Sequence, residues 1–220
     1  MTLTLRSIAV SAALATTGVS AYADLTIPFQ GTQSNSVQAF SEVVLGAFDL
    51  MAITVEAKGN ASAIGTDGVA YNFPVTKIVI GSKLNIVSGS AVGSALKLSR
   101  QDKGATIGVT LANFTIDYNG KRVLADTTPI GGQTTAQMPL YNFQIATPLA
   151  LKYRFPLTIT GHEVLNDLRL TPEAKAVMKT ALNLPVFAQA ALEEDYGTLT
   201  QDVSTTVRKP AASTAPYVAQ

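Results

Sequence analysis

Cysteine and tryptophan are absent from this 220-residue chain, and histidine occurs once. Without a thiol there is no disulfide, no thiolate metal site and no lipid carried on a lipobox cysteine. A single imidazole leaves a Ser-His-Asp triad one candidate base, His162, and no Gly-x-Ser-x-Gly elbow accompanies it. Charge is also scarce, at 14% of residues, and it nearly cancels to a formal net charge of +1. Phosphate recognition needs a clustered basic excess, so nucleic acid is excluded as a partner. Beyond the N-terminus no apolar run is long enough to cross a bilayer as a helix.

What is present starts with an export signal. Arg6 is the only charge in residues 1–23, and an Ala-, Val-, Ile- and Leu-rich run follows from Ser7 to Ser20. Ala21-Tyr22-Ala23 is a small-x-small cleavage site with polar Asp24 behind it. Thr16, Thr17, Gly18 and Ser20 make the run too polar for a retained anchor. The expectation is a signal peptide over 1–23 and an exported protein: periplasmic, extracellular or at the cell surface. The remaining chain of about 200 residues can bury a core without disulfides.

The mature chain reads as mainly β: an antiparallel β-sandwich or barrel-like domain over 24–208, one short C-terminal helix, and a loose Pro-, Ala-, Ser- and Thr-rich tail over 209–220. From Leu149 to Ile159 the odd positions are apolar and predict a two-faced strand, bent or at an edge because Pro156 lacks an N–H. Asn119-Gly120 predicts a type I′ hairpin pairing Tyr118 with Lys121, Asp117 with Arg122 and Ile116 with Val123. Upstream the apolar phase switches from odd to even, which predicts a bulge near Ala112-Asn113. Further strands are expected at Leu25–Gln30, Glu42–Ala57, Val69–Phe73, Thr76–Ile80, Lys83–Val87, Ala95–Ser99, Leu140–Ala146 and Leu199–Arg208. Glu42–Ala57 is nearly all apolar and reads as a central strand covered on both faces.

Thr171 is placed to cap a helix that Pro172 opens, with Glu173 in the first turn. Ala174, Val177, Met178, Ala181 and Leu182 form its apolar stripe, and 186–195 suits a second short helix. The stretch Leu168-Arg169-Leu170-Thr171-Pro172-Glu173-Ala174, followed by Ala181-Leu182-Asn183-Leu184, resembles the closing segment of exported bacterial all-β domains of the HtaA type. That resemblance implies an exported β domain and raises haem as a cofactor.

Most local motifs have structural readings. Ser94-Ala95-Leu96-Lys97 has the Ser-x-x-Lys spacing of serine acyl-transferases, but it leads into a strand instead of opening a helix. Glu193, Glu194 and Asp195 lack calcium-loop spacing and read as a solvated helix end. Asn60 and Asn113 sit in glycosylation tripeptides of the kind a Thr-rich chain contains by chance. His162 reads as a surface histidine in a turn beside Glu163. No catalytic residue and no metal ligand is assigned.

Tyr141, Phe143, Tyr153 and Phe155 share odd positions on neighbouring strands. They are candidates, with His162, for the wall of a site for a hydrophobic ligand or haem. Three readings of function stand: a non-enzymatic exported β protein with a structural, surface or binding role; a carrier of a hydrophobic small molecule or haem; and an outer-membrane β-barrel. A hydrophobic molecule or a protein is the expected partner.

Overall fold

A computed structural model describes residues 24–82, 85–155 and 158–220. The export signal expected at 1–23 lies outside them. Twelve strands form among the described residues: β1 (Leu25–Pro28), β2 (Asn35–Ala39), β3 (Thr54–Gly59), β4 (Ser62–Ile64), β5 (Ala70–Pro74), β6 (Lys77–Ile80), β7 (Ile86–Asp102), β8 (Ala105–Asp117), β9 (Arg122–Pro129), β10 (Thr135–Arg154), β11 (Thr158–Leu170) and β12 (Thr198–Ser204). Helix α1 (Glu42–Leu50) follows β2, and helix α2 (Pro172–Ala181) follows β11, with a 3-10 helix at Val186–Glu193.

The strands make one antiparallel sheet in the order β1-β6-β7-β8-β9-β10-β11-β12-β2-β5-β4, with β3 paired to β7 off that path. The sheet curls on itself as a half-barrel, so strands far apart in this order touch across the interior. Phe73 of β5 and Phe114 of β8 bring their ring centres within 4.9 Å. The Tyr71 hydroxyl of β5 donates to the Val55 carbonyl of β3 at 2.9 Å. Leu96, Val109, Ala125, Leu140, Leu165 and Leu168 fill the inside. Apolar side chains thus face inward, the reverse of an outer-membrane barrel, whose apolar band faces lipid.

The curl has two unlike ends. At one, α1, α2 and the 3-10 helix cover the opening, and Val44, Phe48, Met178, Leu182 and Leu192 are buried against it. The caps are local. The Thr171 hydroxyl accepts the Ala174 amide at 3.2 Å and donates to the Pro139 carbonyl at 2.6 Å. Ser41 caps α1 by accepting the Val44 amide at 3.3 Å. At the other end β10 outruns its neighbour. Beyond Asn142 it pairs with β11 alone, and the two continue past the body as a ribbon bordered by β12.

Several expectations are corrected here. Glu42–Ala57 is not a central strand: Glu42–Leu50 is helix α1 and Thr54–Gly59 is β3, which pairs with β7 alone. Phe40, Val44 and Phe48 are buried at i, i+4 spacing, and the capping Ser41 starts a helix where the run of apolar residues suggested a strand. Leu149–Ile159 is not one strand but the two sides of a hairpin, in which Leu151 faces Gly161 and Tyr153 faces Ile159. Odd residues pair with odd residues, so the alternation runs unbroken through the reversal and conceals it. Pro156 lies outside the described residues, as do Lys83 and Leu84 of the expected Lys83–Val87 strand. His162 is not in a turn; it lies within β11 between Ala150 and Asp202.

The hairpin at Asn119-Gly120 keeps the Asp117–Arg122 and Ile116–Val123 pairs. Its turn is longer than type I′. Asp117 accepts the Asn119 and Gly120 amides at 3.1 and 3.0 Å, and the residue with positive φ is Lys121, at 51°. The bulge is found between Ala112 and Thr115, with Asn113 at φ 51°. Asn113 ties the neighbouring β7 to the C-terminal segment: its Oδ1 accepts the amides of Gly93 and Tyr217, and its Nδ2 donates to the Tyr217 carbonyl. Asn60 similarly donates to the Ser213 carbonyl at 2.8 Å. Where composition suggests a loose tail, the backbone is tied to the body by these two asparagines.

Candidate functional site

The inner face of the sheet does not fill itself at the ribbon end. A narrow cleft, partly open to solvent, runs between β2, β12, β10 and β11 on one side and β5 to β9 on the other. Its walls are Phe73, Val75, Ile78, Phe114, Ile116 and Val123, closed by Leu168, Leu199 and Val203. Gly89 leaves a gap in this wall. It pairs with Ile78 on one side and Ile116 on the other, so its Cβ position shares their inward face, and no atom lies within 4 Å of it.

A short polar row crosses the apolar walls. Gln38 donates from Nε2 to the Tyr141 hydroxyl at 3.2 Å, and Gln201 donates from Nε2 to Ser36 Oγ at 2.8 Å. All four side chains belong to buried residues. Burial pushes the Tyr141 phenol well above its ordinary value, so it stays protonated. Near the cleft mouth the Tyr118 hydroxyl donates to Glu163 Oε2 at 2.5 Å. Burial raises the Glu163 carboxyl, while the Tyr118 hydroxyl and the Leu149 amide hold it back. The Tyr118 phenol is raised by burial and by the carboxylate it faces.

The five candidate residues do not converge. Tyr141 lines the cleft, and Phe143 is buried behind it with its ring edge-on to Tyr118 at 6.2 Å. Tyr153 and Phe155 lie out on the ribbon, 63% and 90% exposed. His162 faces outward and pairs through Nδ1 with Asp202 Oδ1 at 2.8 Å, both side chains more than half exposed. Reasoning from sequence missed Tyr118, Glu163, Ser36, Gln38 and Gln201. In β2 the polar Ser36 and Gln38 are the buried set and Val37 is the less buried one, inverting the usual pattern. The alternation of Ser36 and Gln38 with Val37 and Ala39 is visible in the sequence, but its ordinary reading turns the apolar pair inward, and only the fold shows the polar pair facing the cleft.

Haem does not fit the side chains lining this cleft. The imidazole is outside it, and burial disfavours the tyrosinate form that iron would select at Tyr141 or Tyr118. On the ribbon, Lys152 and Arg154 alternate with the row of Leu151 and Tyr153 and so lie on its opposite face. Among the described residues no group of three or more His, Asp or Glu is placed to hold a metal ion. Ser94 is fully buried within β7, away from any acyl-transfer geometry.

No protein-family model and no curated protein matches this chain. Among solved structures it is similar to the C-terminal domain of HtaA from Corynebacterium glutamicum, with a TM-score of 0.46 and 14% identity. The match covers 81% of this chain and 99% of that one. It is a weak likeness at the level of structure, and no residue role follows from it. Among the described residues no helix is long and apolar enough to cross a membrane.

Proposed function

We propose that this protein is an exported, non-enzymatic binding module whose cleft takes an uncharged, largely apolar small molecule. The observation that carries the reading is the lining of the cleft: a few buried amides and phenols interrupt walls of aliphatic and aromatic carbon. Tyr141, backed by Gln38, supplies a polar handle that orients a ligand without chemistry. Non-enzymatic is the reading because the only His–carboxylate pair faces solvent on the opposite side of β11 from the cleft.

The test uses Gly89, whose missing side chain leaves the cleft open. Gly89→Leu fills space and strains no backbone, since nothing crowds the new Cβ. The parent should bind the neutral fluorophore N-phenylnaphthylamine with enhanced emission, and the variant should lose that binding at unchanged circular dichroism. Equal uptake by both proteins would remove the cleft as the site. A Soret band that forms on haem addition and disappears in Tyr141→Phe would replace this reading with haem binding.

A further inference from the structure

The ribbon formed by the distal halves of β10 and β11 carries a second message. Its inward row does not stop at the cleft. Leu149 and Val203 line the cleft, and a Cβ built on Gly161 would lie 3.0 Å from Leu149, 2.8 Å from Leu151 and 3.5 Å from Val203, so all three side chains share one face. Alternation carries that face outward to Tyr153 and its cross-strand partner Ile159, and on to Phe155 in the turn. Leu151, Tyr153, Phe155 and Ile159 are 64%, 63%, 90% and 42% exposed. The opposite face carries the exposed Lys152 and Arg154, and no Asp or Glu occurs between Asn142 and Glu163.

We propose that this ribbon is a membrane-docking arm that seats the cleft mouth on an anionic lipid bilayer. The bilayer is then the source or the destination of the ligand, a step that rests on the binding role proposed above. Aromatic and aliphatic side chains at an exposed tip partition into the interfacial zone, and flanking Lys and Arg are drawn to anionic headgroups. Charge sets the orientation. The helix-covered end also exposes apolar residues, Val43, Leu50, Val186 and Phe187, but Glu42, Asp49, Glu173, Glu193, Glu194 and Asp195 there outnumber Lys175 and Lys179, so anionic lipid disfavours it. A second copy is a poorer occupant. Four side chains on a narrow ribbon offer less than the roughly 800 Å² per partner that a stable dimer buries.

The experiment is vesicle flotation of the full mature chain, with phosphatidylcholine vesicles and with vesicles enriched in phosphatidylglycerol. The parent should float with the anionic vesicles, and less so as salt rises. Tyr153→Ser/Phe155→Ser should lose binding to both kinds of vesicle. Lys152→Glu/Arg154→Glu should lose about tenfold or more on the anionic vesicles alone. Both variants change exposed positions, and unaltered circular dichroism confirms their fold. The two readings separate cleanly: the arm variants should still take up N-phenylnaphthylamine in solution, and Gly89→Leu should still float. The arm is overturned if the parent stays with the protein-only fraction, or if the variants float like the parent. It is equally overturned if Phe155→Ser dissociates an oligomer seen by sedimentation, which would make the ribbon a contact between copies.

Discussion

Phe40, Val44 and Phe48 at one end of the curl, and Leu151, Tyr153 and Phe155 at the other, are rows of similar composition with opposite fates. The first is buried, because α1 is laid over the sheet opening by its cap and shares its apolar face with the 3-10 helix and Tyr196. The second remains exposed, because β10 and β11 extend past every strand that could cover them except β12. Apolar surface is therefore covered at the helical end and open at the ribbon end.

The sharpest way to break this contrast is to truncate both rows. Phe48→Ala should cost about 3–5 kcal/mol, since a buried ring leaves a cavity that the packed helices cannot close. Phe155→Ala should change stability by no more than about 0.5 kcal/mol. Urea unfolding of the two variants measures both, and similar losses would mean that the ribbon is covered in solution.

Thr171→Ala comes next, with an expected loss of about 1–2 kcal/mol. It removes the α2 cap and the bond to the Pro139 carbonyl that fastens α2 to β10. A loss of a few tenths would show that packing alone seats the helix.

Glu163 sharpens the ribbon end. Its folded carboxyl titrates above the ordinary value of 4.5 because burial disfavours the charge. The native state then holds the proton more tightly than the unfolded state, so this group lowers stability as pH rises from 4.5 through its folded value. Above that value its contribution is constant. In Glu163→Gln this part of the pH slope should vanish, read from urea midpoints across that range. An unchanged slope would place the titration elsewhere.

The smallest effects belong to the surface. Lys121→Gly should stabilise by up to about 1 kcal/mol, since Lys121 holds a positive φ that glycine adopts without strain. His162→Ala should stay within about 0.5 kcal/mol, because its pair with Asp202 is solvent-exposed. Thermal melts suffice for both, and neither variant should alter probe uptake in the cleft.

Local features were legible where the deciding interaction is close in sequence. Thr171, Pro172 and the stripe through Met178 specify α2 with no outside help, and the phase change at Ala112-Asn113 marks the bulge. The candidate site was legible in part. Tyr141 was named, but Gln38 and Gln201 lie on strands that meet only when β2 pairs with β12, and Tyr118 meets Glu163 across 45 residues. No window of sequence contains those neighbours.

The amino-acid order alone determined the β-rich class, the absence of thiol chemistry and the C-terminal helix, because each follows from composition or from a period shorter than a turn. Tertiary structure decided which apolar rows were covered. Val44 and Leu151 are equally hydrophobic in kind, and alternation is the same on both sides of a hairpin. Burial depends on what the rest of the chain places opposite a residue, and only the curl of the sheet brings helices to one opening and leaves the other to β10 and β11.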